Sequence, residues 1–515
     1  MYDFTIYLYA FAIVFFDNYG ILKITFFNKQ EDLSMRTTKI AHASPFSGSP
    51  KINLPSIFGA SPNKPFLLRI PATGERPMKF SAQGLPEGLT LKENIITGCV
   101  LKEGNYEVTI TAENAISKTT KIVTFEIFPN NLLVTPLLGF TTWNAFETSV
   151  SQKNVSDTAK AMIKLGIAEY GYGYVNLDSG WQHKYGGELD AIQPNPKFPD
   201  MKAMVDEIHS LGLKCGIYST PMLTAWGCPN EYESIPGCTV GEPDIRFADT
   251  NGGIGTVRKE KNNVKQWQNW GFDYLKYDWR PCDPVNAEIM RQELINSSRD
   301  FGFCVTVNAL HDYMYYWTKF CNSYRDNLDS NGNWERLILI FNTYLSNVES
   351  MSKGHYFDLD MLDVGNCVFK NNEGFLNEDE MIVSYSMRTF LNSPIQLSCD
   401  LTEISEFELD LYCNEEIIAI NQDVGFAPSI PVFKKTENNS NLYVFEKQLA
   451  DGKVAYGIFN MGESDEIITI NFDGQSSVRD LWSKTDLDAA DTITLNSPKH
   501  TVRILKCSKK LNEVK

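Results

Sequence analysis

The sequence has few of the residues that a zinc-binding or nucleic-acid-binding protein needs. It contains only six His among 515 residues, and none of its eleven Cys forms a Cys-x-x-Cys pair, so a structural zinc site is not expected. Positive charge is also scarce, because 47 Lys and Arg face 64 Asp and Glu, for a formal net charge of −17. No stripe of Lys and Arg offsets the repulsion of nucleic acid and anionic membranes. A neutral or cationic ligand is therefore expected, with no nucleic acid and no membrane as partner.

The chain also lacks an apolar run long enough to span a membrane as a helix. The longest candidate, over 4–16, falls short of the roughly 20 residues that a span requires. It resembles the core of a signal peptide, although Asp3 stands where a positive charge belongs. We expect a leader and linker over 1–50 and export from the cell, with Met35 as an alternative start.

The cysteines are scattered, and two pairs are candidates for disulfide bonds. Cys228 and Cys238 bracket a loop, while Cys304 and Cys321 flank a strand-like segment. The odd number of cysteines leaves at least one thiol unpaired.

Three regions with different patterns follow the leader. Over 51–130, short alternating runs such as FLLRIPATG and NYEVTITAEN are separated by Gly and Pro turns, which predicts a small β-sandwich. Over 131–425, strand-like runs alternate with helical stretches, which predicts βαβ units and a parallel sheet. Over 426–510 the strand pattern returns, which predicts a C-terminal antiparallel β-sandwich. The clearest helical stretches are 157–165, 201–211 and 285–300.

The middle region contains eight strand-like runs. This number suits a closed (β/α)8 barrel better than an open doubly wound sheet. The long connection after the third run includes 228–253 and is expected to cover the mouth of the barrel. The runs are LLGFTTW (137–143), YVNLDS (174–179), LKCGIYS (213–219), YLKYDW (274–279), CVTVNA (304–309), NSYRDN (322–327), YFDLDM (356–361) and PIQLSCD (394–400).

Acidic and aromatic residues stand at the carboxyl ends of these runs, where a barrel forms its active site. So many carboxylates on one rim would repel each other unless they had a chemical role, and without histidine they suit either glycosidic cleavage or a hard-metal site. Taken singly, an Asp at a strand end is more often a helix cap, and a Lys beside a carboxylate is more often a structural ion pair. In chain order the ends carry Trp143, Asp178, Tyr218, Asp278, Asn308, Arg325, Asp329, Asp358, Asp360 and Asp400.

Six motifs follow one another along the chain: TPLLGFTTWNAF, GYVNLDSGWQ, YLKYDW, CNSYRDNLDSNGNW, YFDLDML and EEIIAINQD. In this order they resemble glycoside hydrolase family 27, the α-galactosidase or melibiase family. The stretch INLPSIFGASPNKPFLLRIPATGERP resembles the Ig-type module that precedes the barrel in some bacterial-type members. The resemblance covers nearly the whole chain. It implies a (β/α)8 barrel flanked by an N-terminal Ig-like β-sandwich and a C-terminal antiparallel β-sandwich.

The resemblance also implies roles for individual residues. Asp278 matches the nucleophile and Asp329, four residues after Arg325, matches the acid/base of a retaining double displacement that uses no cofactor or metal. Asp326 is a rival acid/base with the wrong spacing. We expect a cation such as Lys276 to hold the pKa of Asp278 down, and burial or nearby negative charge to raise the pKa of Asp329. The positions that match the sugar pocket are Trp143, Asp178, Ser179, Tyr218, Lys276, Asn308, Arg325 and Asp360.

Departures from the family pattern affect the sugar pocket rather than the catalytic pair. The family usually has two adjacent Asp after the second strand, whereas Ser179 follows Asp178 here, so one charge-assisted hydrogen bond becomes neutral. Tyr324 replaces a Trp, GFTTWN replaces GWNSWN, and YFDLDML replaces WNDPDML.

The leading hypothesis is a secreted, retaining exo-α-galactosidase acting on oligosaccharides or glycoconjugates. One alternative is the same mechanism on an α-N-acetylgalactosaminide or a β-L-arabinopyranoside. The others are a sugar-binding protein that has lost efficient turnover and a Mg²⁺-dependent barrel enzyme.

Overall fold

The computed structural model describes residues 12–16, 22–26, 37–226, 235–244, 252–306 and 311–515. The chain divides into two units, Met1–Arg36 and Thr37–Lys515. In the first unit, Ala12–Phe16 pairs with Leu22–Phe26 as an antiparallel hairpin, and most of the predicted leader run over 4–16 lies outside the described residues. None of the helices in the described ranges combines the length and the apolar character needed to cross a membrane.

Eight parallel strands form the central sheet of the second unit, and each overlaps one of the eight predicted runs. The sheet curls until its last strand in sequence lies beside its first, and a parallel bridge between Leu362 and Leu397 links its two ends. This confirms the predicted (β/α)8 barrel. The strands are Leu138–Thr141, Tyr174–Asn176, Lys214–Ser219, Tyr274–Asp278, Gly302–Thr306, Ser323–Tyr324, Tyr356–Phe357 and Ile395–Leu397.

Helices follow the barrel strands and begin at capping residues. Ser151 caps the helix Gln152–Lys164 through a reciprocal capping box with Asn154, so the helix begins before the predicted start at 157. Asn296 ends the helix Pro284–Ile295 short of the predicted 300. The α-helices are Trp143–Phe146, Gln152–Lys164, Met201–Ser210, Glu260–Trp270, Pro284–Ile295, Met314–Phe320, Trp334–Asn347, Glu378–Phe390, Glu406–Tyr412 and Glu415–Asn421.

Two short hairpins follow the carboxyl ends of the second and third barrel strands. One pairs Gln182–Gly186 with Ala191–Pro194, and the other pairs Thr239–Asp244 with Ile254–Arg258. The second hairpin belongs to the long connection after the third strand, of which 227–234 and 245–251 lie outside the described residues.

The N-terminal module is an Ig-like β-sandwich, as predicted. A four-stranded and a three-stranded sheet face each other across a core in which Phe58, Phe66 and Phe125 contact one another, with ring centroids 5.3, 5.4 and 5.9 Å apart. Its strands are Lys51–Ile52, Ile57–Ala60, Pro65–Arg69, Ala72–Thr73, Lys79–Gln83, Leu89–Lys92, Ile95–Cys99, Gly104–Glu113 and Lys118–Ile127.

The C-terminal region forms the predicted antiparallel β-sandwich. Phe445 and Phe459 pack against Phe341 of a barrel helix, with ring centroids 5.8 and 6.1 Å away, so the sandwich shares its core with the barrel. Its strands are Ile430–Lys435, Leu442–Gln448, Val454–Asn460, Glu466–Asp480, Thr485–Ser497, Thr501–Cys507 and Leu511–Val514.

The segment before the Ig-like module, which lies within the expected leader and linker over 1–50, is hydrogen-bonded to the rest of the second unit. The backbone N–H of Thr37 donates to Asp379 at 2.6 Å, that of Ala41 to the carbonyl of Trp482 at 2.8 Å, and that of Ala43 to Asp410 at 2.6 Å. These bonds tie the segment to barrel helices and to the C-terminal sandwich.

The predicted disulfide between Cys304 and Cys321 is wrong, because both thiols are free and buried. Cys304 packs with Leu137 and Tyr274, whereas Cys321 belongs to the main core of the barrel, so the two side chains lie in different clusters. Cys238 is also free, with its sulfur 3.1 Å from Ser219 Oγ, and Cys228 lies outside the described residues.

A buried carboxylate joins the Ig-like module to the barrel. Glu169 of the barrel accepts hydrogen bonds from Arg69 Nη2 at 2.5 Å and from the N–H of Ala72 at 3.1 Å, and its second oxygen lies 3.4 Å from Arg76 Nη2. Removing one partner of a buried pair leaves the other charge without compensation, which costs far more than the pair itself contributes.

We therefore predict that Glu169→Gln lowers the free energy of the first unfolding transition by about 3 kcal/mol. Asp206→Asn is the control, because Asp206 and Lys202 form an i,i+4 pair with side chains 56% and 58% exposed; its effect should stay within about 0.5 kcal/mol. Urea unfolding followed by circular dichroism measures both. Equal losses in the two variants would show that Glu169 does not hold the module to the barrel.

Candidate active site

Asp278 ends the fourth barrel strand and is 7% exposed. Its Oδ2 accepts a hydrogen bond of 2.9 Å from the hydroxyl of Tyr218, which stands on the neighbouring third strand. Its Oδ1 is buried without a hydrogen-bond partner among the described residues. One oxygen is thus fixed by the protein and the other is free to react.

Burial raises the pKa of Asp278 to about 7, and the negative charge of Asp329 adds to this. The positive charges of Lys276 and Arg325 and the Tyr218 hydrogen bond lower the pKa of Asp278 but do not outweigh burial. The expectation that Lys276 keeps this pKa low is therefore wrong in its net direction. The charges of Asp329 and of Arg325, which bonds Asp329, both act on the pKa of Asp278.

Lys276 and Asp178 form an ion pair on the floor of the site. Lys276 Nζ donates to Asp178 Oδ2 at 2.7 Å, and Asp178 Oδ1 accepts from the N–H of Ser179 at 2.8 Å. The hydroxyl of Ser179 donates to the carbonyl of Trp226 at 2.5 Å. Ser179 thereby ties the second strand end to the long connection after the third strand.

Arg325 joins three neighbouring strand ends. Its side chain is buried, its Nε donates to Thr306 Oγ1 at 2.5 Å, and its Nη2 donates to Asp329 Oδ1 at 2.6 Å. Its Nη1 forms an ion pair with Asp360. The side chain of Asp329 is 73% exposed, so burial, one of the two causes that we expected to raise its pKa, is absent.

Three buried carboxylates lie behind this rim. Asp360 Oδ2 accepts from the N–H of Ser330 at 2.6 Å, and the N–H of Asp360 donates to Asp358 at 2.8 Å. Burial, followed by the charge of Asp360, raises the pKa of Asp358 to about 6. Asp363 accepts from the N–H of Gly332 at 2.9 Å, and burial raises the pKa of Asp363 to about 6. The segment after Asp329 is thus held by carboxylates.

The structure brings together most of the predicted site residues. Asp178, Tyr218, Lys276, Asp278, Arg325, Asp329 and Asp360 are joined by hydrogen bonds, ion pairs or charge interactions. Trp143 is half-buried after the first strand, and Asn308 lies outside the described residues. Asp400 accepts a hydrogen bond from the N–H of Thr402 at 3.0 Å and caps the short helical turn that follows it. This is the structural role that we gave as the more frequent one for a single Asp at a strand end.

Sequence reasoning missed Arg388, which is buried beside the carboxylates in the helix Glu378–Phe390. The signal was a lone cation inside the largely apolar stretch MIVSYSMRTFLNSPIQL. Buried arginines need several acceptors, so such a residue indicates a polar cluster nearby. Within the part of the chain that the structure describes, no group of three or more His, Cys, Asp and Glu side chains is arranged to hold a metal ion.

A (β/α)8 barrel that carries a buried and an exposed carboxylate at the carboxyl ends of its strands, with the charges of Lys276 and Arg325 acting on the buried one, has the arrangement of a glycoside hydrolase. The family model described as Alpha galactosidase A matches 136–240 and 243–423, more than half of the chain. Further models match the C-terminal β-sandwich domain of α-galactosidases over 439–507 and an Ig domain over 49–128. The chain belongs to the Alpha galactosidase A family.

Individual relatives agree with this assignment. A probable α-galactosidase of Dictyostelium discoideum is 28% identical over 385 residues, which cover 72% of this chain and 90% of the relative. A crystal structure of a candidate α-galactosidase/melibiase from Bacteroides fragilis has a TM-score of 0.80 and 26% identity, and covers 90% of this chain and 99% of its own. A β-L-arabinopyranosidase of Geobacillus stearothermophilus shares the fold, with a TM-score of 0.62, 20% identity, and coverage of 73% and 97%.

The raised pKa of Asp278 predicts a pH-dependent cost in stability. The folded state binds this proton up to about pH 7 and the unfolded state only to about pH 4, so stability is lost as the pH rises between them. Asp278→Asn carries no such charge. We predict that its advantage in the free energy of unfolding over the wild type grows from near zero at pH 4 to the order of 4 kcal/mol at pH 8.

Urea unfolding at a series of pH values measures this difference. The exposed Asp206→Asn variant serves as the control and should track the wild type at every pH. A constant difference between Asp278→Asn and wild type across this range would mean that Asp278 titrates at the same pH in both states.

Proposed function

We propose that the protein is a retaining exo-α-galactosidase that releases terminal α-D-galactosyl residues from oligosaccharides or glycoconjugates by double displacement. The observation that carries the proposal is the asymmetry of the two carboxylates. Asp278 is buried with one unpartnered oxygen in the described structure, whereas Asp329 is exposed and held by Arg325. A nucleophile needs a fixed position and a free oxygen, whereas an acid/base must exchange protons with the leaving group and with water. The environments of Asp278 and Asp329 differ in this way.

In the first step, Asp278 Oδ1 attacks the anomeric carbon in its ionised form. Asp329 gives its proton to the glycosidic oxygen as the bond to the leaving group breaks. The products are an alcohol and a glycosyl ester of Asp278. In the second step, Asp329 removes a proton from water, the hydroxide oxygen attacks the anomeric carbon, and the ester bond breaks to restore the Asp278 carboxylate.

The gradient of exposure supports cleavage at the end of a chain. Asp178 and Asp278 are buried and Lys276 is nearly so, while Asp329 faces solvent. The Lys276 ammonium donates and the Asp178 carboxylate accepts, so together they suit adjacent hydroxyls of one sugar ring. The ring then fills the closed side and the leaving group points outward past Asp329.

We predict that Asp278→Asn lowers kcat/KM for 4-nitrophenyl α-galactoside by at least about 10⁴-fold, because no ester can form. Asp329→Asn should cost most with alkyl leaving groups, which need a proton, and azide should restore its turnover of the aryl substrate. Proton NMR should show the α-anomer as first product. Substantial activity in Asp278→Asn would remove it as nucleophile, and a β-anomer would replace double displacement by inversion.

A shifted glycone is the second candidate, and one contact favours it. Because the Ser179 hydroxyl donates to Trp226, its proton is not available to a sugar hydroxyl. The grip on the galactosyl ring is therefore weaker at this point than a carboxylate would provide.

A product-release screen over 4-nitrophenyl α-galactoside, α-N-acetylgalactosaminide and β-L-arabinopyranoside separates the candidates. We expect α-galactoside to have the highest kcat/KM. A higher value for either other sugar selects the second candidate. Turnover of none of the three, with good sugar binding, would leave only the sugar-binding alternative.

A further inference from the structure

Arg388 lies behind the active site and is 1% exposed. It donates to three consecutive backbone carbonyls: Nε to Asp360 at 2.9 Å, and Nη2 to Leu359 at 3.0 Å and to Met361 at 2.7 Å. Its Nη1 donates to the carbonyl and the hydroxyl of Ser384 at 3.0 and 2.8 Å, one helical turn away. The guanidinium thus fastens the segment after the seventh strand to the helix Glu378–Phe390.

Stability alone does not explain a charge at this position. Burying a guanidinium costs several kcal/mol, and well-packed apolar residues usually do as well or better. The acceptors that Arg388 uses are neutral. Burial lowers the pKa of Arg388, and the nearby carboxylates of Asp363, Asp360 and Asp358 offset this effect only in part. What Arg388 adds is a fixed backbone path through Asp360.

That path is one that an Asp seldom takes. Asp360 has a φ of 70°, in the left-handed region that costs a side chain about 1 kcal/mol or more. Bonds to the carbonyls before, at and after Asp360 hold this turn of the chain. In this conformation the Asp360 carboxylate meets both the N–H of Ser330 and the guanidinium of Arg325.

Both of these partners determine where Asp329 lies. Ser330 follows Asp329 directly, and its N–H bond of 2.6 Å to Asp360 fixes the backbone there. The Ser330 hydroxyl donates to the Met361 carbonyl at 3.1 Å, the same carbonyl that Arg388 holds. Arg325 holds the Asp329 side chain through the bond of 2.6 Å.

We propose that Arg388 is a positioning residue for the acid/base, acting through Asp360 on Ser330 and Arg325 and thereby on Asp329. This inference rests on the proposed function. Since Arg388 is buried behind the site, it contacts no substrate, and we expect its main effect on the steps in which Asp329 transfers a proton.

Leaving groups of different basicity reveal such an effect. We expect Arg388→Met to lower kcat/KM about 10²-fold for a methyl glycoside, which needs the proton from Asp329, and by less than about threefold for the 4-nitrophenyl glycoside, which does not. For the aryl substrate, kcat and KM should both fall, because attack of water on the Asp278 ester becomes rate-limiting. Azide, which needs no general base, should restore kcat. Both substrates carry the glycone selected by the screen above.

Two further variants separate positioning from folding. Arg388→Lys keeps the charge but one ammonium cannot reach all the carbonyls, so it should show the same leaving-group selectivity if the Met variant does not fold. Arg299→Met is the control, because Arg299 is a largely buried cation, with its side chain 17% exposed, and pairs with Asp273 at 2.6 Å just before the fourth strand. It should lose stability while keeping the wild-type ratio of the two kcat/KM values.

Equal losses on both substrates in the Arg388 variants, without azide rescue, would overturn the positioning role and leave a structural one. Leaving-group selectivity in Arg299→Met as well would overturn it too, since a cation paired elsewhere in the barrel would then have the same effect. Wild-type protein that turns over no glycoside would instead refute the proposed function, and the inference with it.

Discussion

Arg325 follows the sixth barrel strand, and its guanidinium links this strand to both neighbours. It contacts Thr306 at the end of the fifth strand and Asp360 after the seventh. A charge buried this deeply is very costly unless acidic groups and hydrogen-bond acceptors compensate it. Its bond to Asp329 reaches from the interior to the solvent-facing side of the rim. A buried residue, Arg325, therefore fixes the position of the exposed Asp329 side chain and restricts its motion.

Burial favours the protonated form of Asp278, although the proposed reaction requires the ionised form. Removing water raises its pKa, while Lys276, Arg325 and Tyr218 counteract the rise only in part. Lys276 is committed to Asp178 at 2.7 Å, so its charge is shared between two carboxylates. A carboxylate with a pKa of about 7 is ionised in a large fraction of molecules near neutral pH and is a better base than a solvated one. The stability lost in ionising it is thus linked to the reactivity that the proposed mechanism needs.

The barrel and its site positions were predictable because they depend on local patterns. Eight apolar runs separated by helical stretches determine the strands, and parallel strands bring residues such as Asp178, Tyr218 and Asp278 to one edge. Features that depend on distant parts of the chain were not predictable. The separate clusters of Cys304 and Cys321 and the bond from Ser179 to Trp226 arise from packing and loop conformation, which residue spacing does not encode.

The contrast in exposure between the two carboxylates follows from the chemistry proposed for them. The ester on Asp278 forms as the bond to the leaving group breaks, and a buried, anchored carboxylate keeps bulk water away from it until the leaving group has left the site. Asp329 must lose its proton to the leaving group and then accept one from water, which requires contact with solvent between the steps. An exposed acid is mobile unless it is tied down. The bonds through Arg325 and Ser330 supply the restraint that burial would otherwise give, which explains why so many buried charges lie behind one exposed carboxylate.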